Sequence, residues 1–169
     1  HLMVDLGYTK EAMVLGDHLI EHFQKTGQSR ELAGTLGNQA SLLQITGDLE
    51  LAMSLLKQQE HISRELDDSY VLQHALGSQA GILFARHNLE GSWELLKKEE
   101  QLCREKNYRK FLAGCLKNQG NLSMFRGNLQ GAMTLFEEAE LIFKEMGVQD
   151  GLAELYGSQA EILLDWGNL

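Results

Sequence analysis

The residue types that could carry catalysis or hold a metal ion are scattered along this chain. His18 and His22 stand one helical turn apart, which suits two ligands of one metal ion, but the sequence offers no third ligand. It also lacks a phosphate-binding glycine loop, an HExxH sequence, a paired-cysteine zinc spacing and a Ser-His-Asp order in a strand–turn–helix setting. We therefore predict that the protein is not an enzyme and uses no metal or cofactor.

The two cysteines, Cys103 and Cys115, fall on consecutive predicted helices. Two thiols do not make a disulfide framework, so we interpret them as small buried apolar residues. The N-terminus has no signal-peptide pattern, and the longest apolar run, Ile82 to Ala85, is too short to span a bilayer. These features predict a cytoplasmic protein with no membrane segment.

The charge balance excludes one class of partner. Acidic residues number 24 against 15 basic ones, for a net charge of −9, which opposes approach to a phosphate backbone or an anionic membrane surface. We predict no nucleic-acid or membrane partner. One local basic cluster is expected to favour an acidic segment, and it comprises Lys97, Lys98, Arg104, Lys106, Arg109, Lys110 and Lys117.

One short pattern returns every 40 residues and organises the whole chain. Its copies are Asn38-Gln39-Ala40, Ser78-Gln79-Ala80, Asn118-Gln119-Gly120 and Ser158-Gln159-Ala160. Leu49, Leu89, Leu129 and Leu169 recur with the same spacing. A fixed period of roughly 20–50 residues indicates a solenoid, a propeller or another repeat array.

Each repeat is predicted to contain two antiparallel helices. The chain has no proline, apolar residues recur at helical spacing, and the first complete pair is expected at about Ser29–Thr46 and Leu49–Leu66. Turn signals separate the helices at Gly7, Gly27, Gly47-Asp48, Asp67-Asp68, His87-Asn88, Asn107, Gly127-Asn128, Gly147 and Gly167-Asn168. We expect one elongated array of residues 1–169, with units at about 1–28 (partial), 29–68, 69–108, 109–148 and 149–169 (partial).

Two polar or small columns inside the first helix of each pair have a structural interpretation. Gln39 and its repeats are expected to form a hydrogen-bonded ladder between successive first helices, because a buried amide without partners costs about 1–3 kcal/mol. Gly37, Gly77 and Gly157 sit inside helices, where each costs about 1 kcal/mol relative to alanine. We expect these glycines to permit close approach of neighbouring helices.

These residues resemble the tetratricopeptide repeat (TPR) family in a longer form of about 40 residues. The resemblance rests on Leu-Gly-Asn-x-Ala, then Gly-Asp-Leu-Glu-x-Ala, with Leu56, Leu96 and Phe136 in the large apolar column of the second helix. The chain departs from the family pattern at Gln39 and its repeats, where leucine or an aromatic is usual, and it lacks the terminal proline. The resemblance implies an all-α, right-handed solenoid of antiparallel helix pairs.

The resemblance also implies a function. Longer repeats of this kind are similar to those of kinesin light chains, of spindle-orientation adaptors and of the sensor arrays in signalling ATPases, which bind proteins or peptides. The implied site is a concave groove lined by the first helices. We predict a partner-binding groove made of Asn38, Ser41, Gln44, His74, Ser78, Phe84, Lys117, Asn118, Asn121, Met124, Phe125 and Ser158.

Within this groove, asparagine is suited to hold the main chain of an extended peptide, because its amide both donates and accepts hydrogen bonds. The alternative is that Asn38 and its repeats only allow adjacent first helices to pack closely. Lys117 with Asn121 resembles part of the carboxylate clamp of chaperone-binding TPR proteins. The basic pair expected on the following first helix is replaced by Glu154 and Ser158.

A second hypothesis for function is self-association. Solenoid arrays normally end in a unit whose outer face is polar. Here the final first helix carries apolar residues with no second helix to cover them, namely Leu152, Tyr156, Ile162, Leu163 and Trp166. Open repeats of this kind predict end-to-end association of copies, or a segment of a larger signalling protein.

Overall fold

The protein is all-helical over the part of the chain that its structure describes. The structure is a computed structural model that describes residues 2–167, with side chains described for residues 8–164. The helices are α1 (Leu2–Thr26), α2 (Ser29–Thr46), α3 (Leu49–Glu65), α4 (Ser69–Ala85), α5 (Leu89–Glu105), α6 (Arg109–Phe125), α7 (Leu129–Met146) and α8 (Gln149–Gly167). No strand occurs in these residues, and none of these helices is both long and apolar enough to cross a membrane.

Helix boundaries follow the predicted repeat. Helix α2 begins at Ser29 and ends at Thr46, and α3 begins at Leu49, as the sequence predicted. The first helices of the repeats, α2, α4, α6 and α8, begin at residues 29, 69, 109 and 149, which are 40 residues apart. The predicted members Asn168 and Leu169 and the side chain of Trp166 lie outside the described residues.

The turns use the expected chemistry. Gly27, Gly47, Gly127 and Gly147 have positive φ, and so do Asp67, His87 and Asn107 at the corresponding places. These left-handed residues let the chain reverse after each helix. The next helix is then capped, because Asp48 Oδ1 accepts from the Leu51 N–H at 3.1 Å and Asn128 Oδ1 accepts from the Gly131 N–H at 3.0 Å.

The turn predicted at Gly7 is wrong, because α1 runs through this residue without a break. A single glycine inside a helix costs only about 1 kcal/mol, so it does not force a turn. At Gly47 and Gly127 the glycine is followed by Asp48 or Asn128, whose side chain caps the next helix. A missing cap does not explain the continuous helix at Gly7, because Gly27 and Gly147 form turns although Gln28 gives no side-chain cap and Val148 is aliphatic.

The helices divide into two compact units. The first unit runs to Arg86 and contains α1 to α4, with α1 packed on α2, α2 on α3, and α3 on α4. Helices α2 and α4, the successive first helices, also contact each other. The core of this unit is made by Ala40, Leu43, Ala52, Met53, Leu56 and Ile82.

The second unit starts at His87 and contains α5 to α8 in the same order of packing, with α6 also contacting α8. Its core is larger and centres on Phe136, which is fully buried. Leu152 and Ile162 on α8 belong to this core, so the expectation that they are uncovered is wrong. Tyr156 and Leu163 on the same helix are exposed, as expected.

Candidate protein-interaction face

The predicted groove residues of the first unit lie on the accessible sides of α2 and α4. Asn38 is exposed and Ser78 is half-buried, whereas the next residues, Gln39 and Gln79, are buried. This difference follows from the helical turn of 100° per residue, which points neighbouring side chains to different sides. Asn38 and Ser78 are therefore reachable from solvent and do not belong to the core.

Other predicted residues of this unit are held by their own helix. The Ser41 hydroxyl donates to the Gly37 carbonyl at 3.0 Å, and the Gln44 amide donates to the Ala40 carbonyl at 3.5 Å. Both side chains are half-buried, and Phe84 on α4 keeps 36% of its surface exposed. Phe84 thus presents an apolar ring to solvent near the C-terminal end of α4.

His74 on α4 faces Gln59 of α3. Its Nδ1 lies 3.4 Å from Gln59 Oε1, and burial lowers the pKa of His74 below its ordinary value. The ring is therefore neutral at pH 7, and a neutral imidazole offers one donor and one acceptor. His74 is suited to hydrogen bonding and does not supply a positive charge.

The glycine column has a structural explanation at Gly37. Gln59 of α3 reaches over this residue to donate a hydrogen bond to the Ala33 carbonyl at 3.0 Å. A Cβ at position 37 would lie 2.2 Å from Gln59 Nε2. Gly37 therefore leaves the space that the Gln59 side chain occupies against the first helix, whereas Gly34 and Gly157 have no such neighbour within 4 Å.

In the second unit, Asn118 on α6 is exposed and Ser158 on α8 is half-buried, as at the equivalent positions of the first unit. Lys117 forms an ion pair with Glu154 of α8. This pair neutralises the lysine within the chain and joins two successive first helices. Lys117 is therefore not available to bind a carboxylate of a partner, as the lysine of a carboxylate clamp would be.

Three further predicted residues follow along α6. Asn121 is half-buried, and its Oδ1 is shielded from solvent without a hydrogen-bond partner among the described residues. Met124 packs against the core of the unit. Phe125 is 56% exposed, and its ring centroid lies 6.2 Å from that of His87. The C-terminal end of α6 thus offers an accessible aromatic surface.

The repeated glutamines do form interhelical hydrogen bonds, but the prediction that they link successive first helices is wrong. Each glutamine amide donates to an acidic side chain on the preceding second helix, and no glutamine in the ladder bonds to another first helix among the described residues. The contacts are Gln39 to Asp17 at 2.8 Å, Gln79 to Glu60 at 2.7 Å, Gln119 to Glu100 at 2.9 Å and Gln159 to Glu140 at 3.2 Å. The ladder therefore fastens each first helix to the helix before it.

Backbone carbonyls complete this contact. The amides of Gln39, Gln79 and Gln119 also donate to the carbonyls of Met13, Leu56 and Leu96, at 2.9, 3.4 and 3.3 Å. A helix carbonyl accepts this second bond in addition to its own helical bond, because it has two lone pairs. The departure from the usual family residue at this column is thus explained by a repeated interhelical hydrogen bond.

The sequence contains a signal for this ladder that our sequence analysis missed. An acid followed four residues later by a base recurs in the second helices, as Glu60–Arg64, Glu100–Arg104 and Glu140–Lys144, and each pair forms an ion pair. Hydrogen bonds from Lys97, Gln119 and Arg104 overcome the effect of burial and lower the pKa of Glu100. Glu100 therefore remains an ionised acceptor for Gln119.

Four of the seven residues of the basic cluster, counting Lys117, form ion pairs with acids of the second unit. Arg104 pairs with both Glu100 and Glu138, Arg109 pairs with Glu145, and Lys97 pairs with Glu100. Exposed pairs of this kind contribute about 0–1 kcal/mol each to stability. These pairs reduce the positive charge that the cluster offers to an acidic segment, while Lys98, Lys106 and Lys110 remain exposed.

The second unit also contains a buried carboxyl group with two buried thiols. Glu99 is 6% exposed, and burial raises its pKa to about 7 against a hydrogen bond with Cys115. Burial, assisted by the charge of Glu99, raises the pKa of Cys103 to about 12 and also raises that of Cys115. Both cysteines are buried and free, as expected, and neither is a thiolate nucleophile at neutral pH.

Comparison with known proteins gives matches at the level of structure alone. No family model and no curated protein matches the sequence. Among solved structures, BtubC (BKLC) from P. vanneervenii matches with a TM-score of 0.79 and 15% identity, over 93% of this chain and 66% of that one. The chain thus spans less than two thirds of the length of BtubC.

Two further matches are structures of the nearly identical TPR-like repeats assigned to a kinesin light chain of Podosopora anserina. One of them, a form with a single substitution, has a TM-score of 0.70 and 18% identity, over 95% of this chain and 86% of that one. The other has a TM-score of 0.68 and 17% identity, over 93% of this chain and 82% of that one. The predicted fold class is therefore confirmed.

Proposed function

Because the chain has the TPR-like fold, we propose that it binds a protein partner and holds an extended or helical segment of it against the accessible faces of its first helices. This fold commonly mediates protein–protein interaction and is not generally enzymatic. A cytoplasmic location is part of the proposal, and two free cysteines without a disulfide are consistent with it.

One observation supports this proposal: accessible polar and aromatic residues alternate along the first helices with residues that are buried in the core. Asn38 and Asn118 are exposed, while Gln39 and Gln119 beside them are buried and hydrogen-bonded. The asparagines have no role in the core of either unit, and they lie at the same register of two first helices. A partner main chain would find a donor and an acceptor at each.

Selectivity would come from the neighbouring apolar groups. Phe84 in the first unit and Phe125 in the second present accessible ring surface at the C-terminal ends of first helices. An aromatic anchor on an interface typically contributes about 2 kcal/mol or more when a partner covers it. We therefore expect a partner segment with apolar side chains spaced between main-chain contacts, and no requirement for an acidic residue opposite Lys117.

The test is selection of binding peptides from a random library displayed on phage, followed by titration of the selected peptide into variants. Asn38→Ala and Asn118→Ala should each weaken binding by about two- to thirteenfold, since a net hydrogen bond is worth about 0.5–1.5 kcal/mol. Gln58→Ala on α3 is the matched control, because Gln58 is an exposed amide outside the proposed face.

The proposal fails if no peptide is selected, or if a selected peptide binds both asparagine variants as tightly as the parent chain.

A charge exchange tests whether Lys117 contributes to the fold or to peptide binding. The double variant Lys117→Glu with Glu154→Lys restores the ion pair with reversed polarity. Unchanged peptide affinity in this variant would show that the pair serves the fold, as proposed here.

A further inference from the structure

The carboxyl group of Glu99 on α5 is buried without a counter-ion. The residue is 6% exposed, and its Oε2 is shielded from solvent with no hydrogen-bond partner among the described residues. Lys97 and Arg104 on the same helix pair with Glu100 instead. Because a buried carboxylate without a partner is unfavourable, this oxygen is suited to accept a hydrogen bond from a group outside the chain.

The first unit shows which group reaches the equivalent place. Gln59 on α3 precedes Glu99 by 40 residues and is buried in the same way. Nδ1 of His74 on α4 lies 3.4 Å from Gln59 Oε1. A side chain of the following first helix thus contacts this position in the first unit, and the residue 40 positions after His74 is Gly114 on α6.

Helices α5 and α6 pack as α3 and α4 do, so the two units can be compared directly. The Gln79 amide donates to Glu60 Oε2 at 2.7 Å and to the Leu56 carbonyl at 3.4 Å. The equivalent Gln119 amide makes the two corresponding bonds in the second unit, at 2.9 and 3.3 Å. Position 114 therefore faces position 99 as position 74 faces position 59.

Gly114 leaves a recess at this turn of α6. It is half-buried, and a Cβ at this position would meet no heavy atom within 4 Å outside its own helix among the described residues. Glu99 shares a hydrogen bond with Cys115, the next residue along α6, so its carboxyl group lies at the same turn. The space that the His74 ring occupies beside Gln59 is therefore open beside Glu99.

The recess lies on the proposed partner-binding face. The exposed Asn118 and the half-buried Asn121 follow Gly114 by four and seven residues, which places them on the same side of α6. The described side-chain atoms that are buried without a partner are all oxygens, on Glu99, Gln119 and Asn121. Carboxylate and amide oxygens accept hydrogen bonds, so the group that would satisfy them is a donor.

The chemistry of the recess favours a basic side chain. The ammonium group of lysine has three donors, no acceptor and a charge opposite to that of Glu99. Its unbranched stem is slimmer than the planar guanidinium group of arginine, which suits a recess left by one missing side chain. The net charge of −9 also favours the approach of a basic segment over that of an acidic one.

We propose that the recess at Gly114 receives a lysine side chain of the bound partner segment, with its ammonium group hydrogen-bonded to Glu99. This inference rests on the proposed function, because it identifies one residue of the segment that the first helices hold. The partner lysine takes the place that His74 takes against Gln59 in the first unit. Since His74 fills that place, α4 offers no second lysine site of this kind.

Titration calorimetry with peptides selected on the parent chain tests the inference. Each lysine of a selected peptide is replaced in turn by methionine, which keeps an unbranched side chain and removes the charge. The measurements are made at pH 8, above the pKa of about 7 that burial gives Glu99. One of these replacements, and Glu99→Gln in the protein, should each weaken binding at least about tenfold, because hydrogen bonds between charged groups are the strong ones.

The effects of the two changes should not add. The Glu99→Gln chain should bind the methionine peptide within about threefold of the lysine peptide, since the group that the lysine reaches has lost its charge. Glu94→Gln is the matched control, because it removes an equal charge from an exposed carboxyl group of the same helix. Its peptide affinity should stay within about twofold of that of the parent chain.

Gly114→His is the second variant, because it gives α6 the side chain that fills the equivalent place on α4. This chain should also lose the preference for the lysine peptide, and it serves if Glu99→Gln loses helicity by circular dichroism. Selected peptides that contain no lysine, that tolerate every lysine replacement, or that bind the Glu99→Gln chain as tightly as the parent would overturn this inference and leave the proposed function standing. A selection that yields no peptide would overturn both.

Discussion

Phe136 lies directly over Gly120, so close that a Cβ at position 120 would come within 2.2 Å of Phe136 Cε1. The corresponding residues of the first unit are Leu56 and Ala40, both buried in its core. The larger side chain on the second helix is thus matched by the smaller residue on the first helix. The two repeats fill the same volume at this contact with different pairs of residues.

Gly120→Ala should lower the free energy of unfolding by up to about 2 kcal/mol, although alanine favours helices by about 1 kcal/mol over glycine. The Phe136 ring is fully buried, and overpacking of a core costs about 1–3 kcal/mol. Phe136→Leu alone should also destabilise, because it leaves a cavity. The double variant should lie close to the parent chain in urea denaturation, and simple addition of the two losses would contradict this account.

The buried carboxyl group of Glu99 should make the free energy of unfolding depend on pH. Burial raises its pKa from 4.5 to about 7, so the folded state favours the protonated carboxyl. This contribution to stability is fully present below pH 4.5, declines as the pH rises and is lost above about pH 7. The equivalent residue of the first unit is Gln59, a neutral side chain of the same shape.

Glu99→Gln should therefore raise the free energy of unfolding at pH 8 by up to about 3 kcal/mol and change it little at pH 4.5. Urea denaturation of both chains at the two pH values measures this difference. The comparison cancels the opposite effect of acids with lowered pKa, such as Glu100 and Glu140, which both chains share. Equal stabilities at pH 8 would show that Glu99 ionises without cost in the folded chain.

The sequence was sufficient to predict the helices and most of their turns, because local residue chemistry determines where a helix begins and ends. Gly47-Asp48 and Gly127-Asn128 each combine a left-handed residue with a cap, and the structure uses both. Gly27 and Gly147 form turns without a capping side chain after them, whereas the turn predicted at Gly7 does not form. A glycine alone was an insufficient signal.

Contacts between helices were predicted less well, because they depend on which neighbour a side chain reaches. The amide of Gln79 was expected to bond along the first helices, but it bonds to Glu60. The recurrence of Glu60, Glu100 and Glu140 in the sequence would have indicated this partner. Helical spacing predicted the exposed positions of Asn38 and Asn118, whereas the pairing of Lys117 with Glu154 required the fold.

The glutamine ladder should contribute measurably to stability. Gln119→Met keeps the length of the side chain and removes the donor that reaches Glu100 and the Leu96 carbonyl. The loss should be about 1–2 kcal/mol in urea denaturation, because Gln119 is fully buried. Gln101→Met is the control, since the exposed Gln101 bonds only within its own helix, and its effect should stay within about 0.5 kcal/mol. Equal effects of the two substitutions would refute an interhelical role.

Substitution of two glycines on α2 should distinguish effects on the stability of the fold from effects on partner binding. Gly37→Ala should destabilise the chain, because a Cβ would displace Gln59 from its hydrogen bond to Ala33. Gly34→Ala should stabilise it by about 1 kcal/mol, since Gly34 is exposed with no atom within 4 Å and alanine favours the helix. Thermal or urea denaturation of the two variants should therefore shift in opposite directions.

If a partner main chain packs on this face, Gly34→Ala should at the same time weaken binding of a selected peptide, because the added methyl group occupies the open space. A stabilised Gly34→Ala chain with undiminished peptide affinity would place the partner elsewhere on the protein.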